Sequence, residues 1–197
     1  MTSSGVGIIL LASGASRRFR SDKRFARLPG GQLLLNRMLS LVSASGLPCF
    51  VTLRSGEAIQ TPGAQPLMLE HASRGMGSSI AEAVASVGEN FSALMILPVD
   101  LPLLKLQTLT ALAENATSNT LRRPVADGRE GHPVVFGCDY FVNLAALDGE
   151  QGAQSILRKY AGSVERITVN DPGIYLDIDT PETLASLTRE GHFAGQQ

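Results

Sequence analysis

The chain has 197 residues, of which 44% are hydrophobic and 18% charged, with 20 Gly, 10 Pro and a formal net charge of -1. This excludes a collagen-like, low-complexity or disordered chain and is enough for a buried core, so residues 1–197 are read as a single domain. With 5% aromatics, no Trp and almost no net charge, no nucleic-acid partner is expected.

Taken in chain order, Val6 to Ala12 is a continuous apolar run, as in a parallel strand buried on both faces, and too short for a membrane span. No membrane partner is expected. The opening Met1-Thr-Ser-Ser-Gly5 has no basic region of the kind that begins a signal peptide. Cys49 and Cys138 form no CxxC pair, so both are read as free thiols in a reducing, cytoplasmic setting. A polar, basic loop runs from Ser13 to about Gly31. Leu34, Leu35, Met38, Leu41 and Val42 then share one face of a helix that Gly46-Leu-Pro48 stops. Cys49–Leu53 and Gln65–Leu69 read as strands.

Ser78 or Ser79 is expected to cap the next helix, whose face carries Ile80, Ala83, Val84 and Val87. Ala93–Leu97 reads as a buried strand ended by Pro98, and Leu106, Leu109, Leu112 and Ala116 mark the helix after it. Two short β segments flank a turn at Asp127–Gly131, and short helices are expected near 139–147 and 153–160. Val164–Val169 and Gly173–Asp179 read as late strands, before a last helix with Thr180 as N-cap and Pro181 at its first position. Alternating strand and helix imply an α/β fold, a mainly parallel sheet with helices on both faces and ligands at the carboxyl ends of its strands.

Three places carry candidate chemistry. Residues 17–27 hold Arg17, Arg18, Arg20, Lys23, Arg24 and Arg27 against one acid, Asp22, about a third of the chain's 17 cations. Following a buried strand, and preceded by the small residues Ala12, Ser13 and Gly14, this reads as a phosphate site; the alternative is a solvated loop. It is neither a P-loop nor a GxGxxG fingerprint. Asp100, held between Pro98 and Pro102, suits a divalent cation bridging phosphates, or a turn. Asp177 and Asp179, about 6.5–7 Å apart if extended, offer a second metal ligand, or Asp179 serves the last helix's dipole. No arrangement suggests a covalent nucleophile, and His71 and His192 read as structural.

These pieces together resemble one family. Leu11-Ala-Ser-Gly-Ala-Ser-Arg-Arg-Phe-Arg-Ser-Asp-Lys23 is similar to the opening LAAGxSxRxGxxK of the MobA-like nucleotidyltransferases, and within them to the molybdenum cofactor cytidylyltransferases. Gly75–Ser79, Val99-Asp-Leu-Pro102, Gly131-His-Pro-Val-Val-Phe136, Gly149–Ala153 and Leu176–Glu182 match further family motifs in the family's order. Two positions depart: Arg20 and Val99 stand where the family has glycine.

The resemblance implies a three-layer Rossmann-like nucleotidyltransferase fold. It also implies Mg2+-dependent transfer of CMP from CTP to the terminal phosphate of molybdenum-loaded molybdopterin, releasing pyrophosphate. It assigns Leu11, Ala12, Ser13, Gly14, Ser78 and Ser79 to the nucleotide, Arg18 and Lys23 to the triphosphate, Asp100 and Asp179 to the metal, and Gly131, His132 and Pro133 to the acceptor side. Arg18, Lys23 and Asp100 are the residues expected to be catalytic. Guanylyl-transferring relatives carry Gly where Ser13 stands and lack the Gly131-His-Pro133 element, which favours CTP over another NTP. Alternatives are guanylyl transfer, another small phosphate acceptor, or a non-catalytic cofactor-binding chaperone for a recipient molybdoenzyme.

Overall fold

The computed structural model describes residues 5–19 and 21–193. Its strands are β1 (Val6–Leu11), β2 (Cys49–Arg54), β3 (Gln65–Leu69), β4 (Ala93–Pro98), β5 (Leu121–Ala126), β6 (Arg129–Glu130), β7 (Val134–Gly137) and β8 (Glu165–Thr168). Its helices are α1 (Leu34–Ala44), α2 (Met76–Val87), α3 (Leu106–Ala113), α4 (Phe141–Ala145), α5 (Gln154–Lys159) and α6 (Pro181–Arg189). One sheet runs in the order β3-β2-β1-β4-β7-β5-β6, with β8 pairing β5. β1 to β4 are parallel and so is the β5–β8 pair, whereas β7 runs antiparallel to both β4 and β5.

The strands are apolar on both sides because both faces are covered. Ile8 and Leu10 of β1 join Val51, Leu53, Met95 and Leu97 under α1, α3 and α6, where Met38, Val42, Leu109 and Leu187 are buried. Ile9, one residue out of phase, faces the other way with Leu94, Ile96 and Phe136 under α2, α4 and α5, where Ile80, Val84, Leu144 and Ile156 are buried. The period of two along β1 therefore feeds two separate cores, giving three layers, helix, sheet and helix. No helix among the described residues is long and apolar enough to cross a membrane.

Two expected elements differ. α2 begins at Met76 with Gly75 as N-cap, so Ser78 and Ser79 lie inside its first turn and do not cap it. Gly75 (φ +133°) suits this place, because a Cβ there would lie 2.4 Å from the Gly149 carbonyl oxygen. Residues 173–179 form no strand. The Asp171 carboxylate accepts from Gly173 N–H and, with Pro172 next, turns Pro172–Ile174 into a 3-10 turn. The segment beyond it meets the chain just past β4 through a backbone bond, Ile178 N–H to the Asp100 carbonyl at 2.9 Å. Thr180 caps α6 as expected, accepting from Thr183 N–H, with Pro181 at the first turn.

Asp171, only 1% exposed, ties this segment to α3 by accepting from Thr108 Oγ1, Lys105 N–H and Gly173 N–H. Asp171→Ala strands these donors and should cost about 2–4 kcal/mol. Urea denaturation of the variant checks it: an unchanged midpoint would remove Asp171 from the framework.

Candidate functional site

The site lies where the carboxyl ends of β1, β2 and β4 meet the start of α2. There a cleft of about 730 Å³ is lined by the 11–18 stretch, Lys23, Arg54, Gly75, Met76, Ser79, Asp100, Glu150 and Asp179, among others. Of the residues singled out from sequence, Leu11, Ala12, Ser13, Gly14, Arg18, Lys23, Ser79, Asp100 and Asp179 line it. Ser78 and the Gly131-His132-Pro133 segment do not.

The loop after β1 is anchored at its back by Phe19 and Leu28, both buried in the core. Its cations divide by role. Arg24 is 2% exposed and donates to both carboxylate oxygens of Asp22, to both of Glu57 and to the Ala12 carbonyl. Its hydrogen bonds to Glu57 hold its charge on against burial, and the same bonds pull the Glu57 carboxyl below its ordinary range. Arg27 donates to the Gly31 carbonyl from an exposed position. Neither completes the six-cation phosphate site that the sequence suggests. Arg17 and Arg18 are open to solvent, pairing with Glu150 at 3.4 Å and Asp179 at 2.9 Å. Arg20 lies outside the described residues. Val99 lies in a turn one residue past the end of β4 and donates its N–H to the Leu11 carbonyl at 3.2 Å.

Lys23 is the centre of the charged cluster. Its ammonium donates to Asp100 Oδ2 at 2.6 Å and to Asp179 Oδ1 at 3.3 Å, with the side chain only 15% exposed. Burial works against its charge, but the Asp100 and Asp179 carboxylates outweigh it and hold the ammonium above its usual pKa. The bond from Ile178 N–H to the Asp100 carbonyl brings the 176–180 segment alongside β4, which puts Asp179 in the cleft. Asp177, on the other side of Ile178, is exposed and outside the cleft lining. Desolvation, then the charges of Asp100 and Asp179, raise its pKa.

Among the described residues no group of three or more His, Cys, Asp or Glu forms a ready metal cage. Two carboxylates converging on one cation nevertheless suit an ion such as Mg2+ or Mn2+, which takes one or two carboxylates and fills its other positions with water and phosphate oxygens. Gly14 suits a ligand as well: a Cβ added there meets nothing within 4 Å, so its open side belongs to the cleft.

The floor of the cleft is polar and ordered. Ala12 N–H donates to Thr52 Oγ1 at 2.9 Å, Thr52 Oγ1 to Ser13 Oγ at 3.2 Å, Ser13 Oγ to Ser79 Oγ at 3.1 Å, and Ser79 Oγ to the Gly75 carbonyl at 3.1 Å. Ser78 instead fastens the 148–151 segment to α2, donating to Asp148 Oδ1 at 2.7 Å and accepting from Gly149 N–H at 3.0 Å. The 131–133 segment is tied to the 172–174 turn, His132 N–H donating to the Ile174 carbonyl at 2.8 Å. The His132 ring keeps an open face, yet desolvation and the Arg123 charge lower its pKa, with Asp100 opposing from nearby.

Arg54 and Glu57 are site residues that sequence reasoning misses. Arg54 ends β2, lines the cleft and donates to the Ser13 and Gly14 carbonyls. The available signal was an arginine and a glutamate three residues apart at a strand's carboxyl end, where ligands bind.

The model of the MobA-like NTP transferase domain matches residues 8–164. A relative from Mycobacterium ulcerans (strain Agy99), named "Probable molybdenum cofactor guanylyltransferase", is 26% identical, the match covering 93% of this chain and 94% of the relative. The crystal structure of Rv0371c from Mycobacterium tuberculosis H37Rv superposes with a TM-score of 0.83 at 22% identity, covering 96% of this chain and all of that one. The structure of the Rv0371C complex with manganese gives 0.78 at 20% identity, covering 94% of this chain and 98% of that one. At these identities the structural matches speak for the fold alone.

The Lys23 ammonium sits between the two carboxylates that a divalent ion would use. Lys23→Met should therefore tighten binding of Mn2+ to the nucleotide-free protein, by roughly tenfold (about 1.4 kcal/mol). Mn2+ titration followed by electron paramagnetic resonance tests this, and equal affinity in the two proteins would refute it.

Proposed function

Since the chain belongs to the MobA-like NTP transferase family and is a nucleotidyltransferase, we propose that it transfers CMP from CTP to the terminal phosphate of a molybdopterin-type cofactor. It would act in the cytoplasm during molybdenum cofactor maturation, before the cofactor passes to a recipient molybdoenzyme. The observation that carries the reading is the joint placement of Lys23, Asp100 and Asp179 beside a loop of small residues in one cleft.

An oxygen of the acceptor phosphate attacks the α-phosphorus, the bond from that phosphorus to the oxygen bridging to the β-phosphate breaks, and pyrophosphate leaves. This in-line displacement needs alignment and charge neutralisation and no protein nucleophile. Backbone from Leu11 to Gly14 holds the nucleotide, with Leu11 and Ala12 at the base and ribose and Ser13 and Gly14 running on to the phosphates. Arg18 and Lys23 leave their carboxylate partners for phosphate oxygens and offset the charge that gathers on the departing pyrophosphate. Asp100 and Asp179 would hold Mg2+, which would supply charge neutralisation for the phosphates. The Gly131-His132-Pro133 segment, outside the nucleotide cleft, is assigned to the acceptor side on the family resemblance, with the influence of Asp100 on His132 as support.

The choice of CTP rests on Ser13, whose side chain is fixed in the cleft floor by Thr52 and Ser79 and takes up space beside the base. The second reading is GTP, favoured by the name of the Mycobacterium ulcerans relative. Calorimetry with each nucleotide and Mg2+ separates them: CTP should bind more tightly, and Ser13→Gly should shift preference toward GTP. A wild-type preference for GTP overturns the cytidylyl assignment. Asp100→Asn should lower kcat by roughly a thousandfold with the fold retained. Pyrophosphate release measures it, and full activity would remove Asp100 from the metal role.

A further inference from the structure

We propose that Arg54 and Glu57 are positioning residues. With Arg24 they clamp three successive carbonyls of the loop after β1 and so hold three backbone N–H groups ready for phosphate. The inference rests on the nucleotidyl-transfer reading and concerns how the loop acquires its grip.

Arg24 Nη1 donates to the Ala12 carbonyl at 3.0 Å, Arg54 Nε to the Ser13 carbonyl at 3.0 Å, and Arg54 Nη2 to the Gly14 carbonyl. One carboxylate joins the two guanidiniums. Glu57 receives both terminal nitrogens of Arg24, the Arg54 backbone N–H at 2.9 Å and, more loosely, Arg54 Nη1 at 3.5 Å. In a planar trans peptide the N–H points opposite to the carbonyl of the preceding residue. With the carbonyls of 12, 13 and 14 turned toward the arginines, the N–H groups of Ser13, Gly14 and Ala15 project away from them. None of the three finds an acceptor among the described residues. Ser16 follows in the left-handed region at φ +50°, the kind of turn that curls successive N–H groups into an anion-binding concavity.

The committed donors argue against a direct phosphate role for these arginines. Arg24 is buried with its donors on Asp22, Glu57 and Ala12, and Arg54 turns the edge carrying Nε and Nη2 toward backbone oxygens. Their charge acts through the orientation of the loop. Three N–H groups fixed before the ligand arrives lose no freedom on binding, which is where the affinity would come from.

The test uses inorganic tripolyphosphate, which has neither base nor ribose, alongside CTP and GTP. In calorimetry Arg54→Met should bind tripolyphosphate roughly tenfold more weakly than wild type, as expected for one or two lost pre-oriented donors. KM for the nucleotide should rise in parallel, with kcat within about threefold. Arg54→Lys, whose ammonium reaches the same carbonyls, should recover most of the affinity. Glu57→Gln, which keeps the shape and weakens the link, should fall between, and it carries the test if Arg54→Met does not fold. In the nucleotide-free protein the amide resonances of Ser13, Gly14 and Ala15 should move in Arg54→Met, a change that direct ligand contact by Arg54 would not produce. Unchanged resonances with unchanged tripolyphosphate affinity overturn the clamp, as does a fall in kcat at constant KM. A wild-type protein that binds neither tripolyphosphate nor any NTP instead overturns the nucleotidyl-transfer reading itself.

Discussion

The ion triad of Lys23, Asp100 and Asp179 joins three parts of the chain that the sheet alone would not bring to one point. Lys23 comes from the loop after β1, Asp100 from the end of β4, and Asp179 from the residue before the α6 cap. Two carboxylates this close repel, and a mostly buried ammonium without a partner would be costly, so each group stabilises the others in place. The backbone supports the same meeting: Ile178 is fully buried and bonded to the Asp100 carbonyl, while Thr180 and Pro181 fix the chain just past Asp179. The cleft takes its shape from this junction.

The charges in the cleft fall into an exchangeable set and a permanent one. Arg17–Glu150 and Arg18–Asp179 are exposed pairs of the kind worth at most about 1 kcal/mol in water. They are held loosely enough to be given up, and a nucleotide arriving with its own divalent cation offers every member a new partner of opposite sign. Arg24, between Asp22 and Glu57, has no such freedom. Its three-part pairing is buried, and losing a carboxylate there would leave a charge with no access to water. The near-zero net charge of the chain thus conceals a cleft in which both signs are concentrated and paired.

Much of the fold was readable because its causes are local. A strand covered on both faces must be apolar throughout, as Val6–Leu11 and Ala93–Leu97 are, and Thr180-Pro181 supplies an N-cap side chain and a first-turn proline from adjacent residues. The parts that sequence missed depend on contacts between distant segments. Arg24 carries the same charge as its neighbours in the loop, and part of what makes it structural, the pairing with Glu57, comes from 33 residues away. Arg54 reaches the loop carbonyls across 40 and 41 residues. Residues 173–179 have the composition of a strand but lack a neighbour along most of their length. Ser78 sits in a motif that matches the family and spends its hydroxyl on Asp148. The junction of Lys23 with Asp100 and Asp179 was visible in outline, since the motifs supplied the residues, though not that one ammonium would satisfy both acids.

The cleft contains two places where backbone N–H groups could receive an anion, and packing closes one of them. At the start of α2, Gly77 N–H already donates to the Gly149 carbonyl at 2.8 Å, and Ser79 N–H to the Gly75 carbonyl at 3.1 Å. Asp148, tied to Ser78 and Arg74, adds a carboxylate near the same helix end, its pKa lowered first by the Ser78 hydrogen bond. A Cβ on Gly77 would lie 2.4 Å from the Gln151 carbonyl oxygen, so the 148–151 segment is packed too tightly to make way for a ligand. Gly77 N–H is therefore spent on the protein's own oxygen, and the 148–151 segment covers this helix end. The loop after β1 is the reverse case. The carbonyls of Ala12, Ser13 and Gly14 are engaged, the N–H groups of Ser13, Gly14 and Ala15 have no acceptor among the described residues, and the space above Gly14 is open. Backbone able to receive an anion is therefore found on the loop side of the cleft, and α2 contributes a wall with the Ser79 hydroxyl on it.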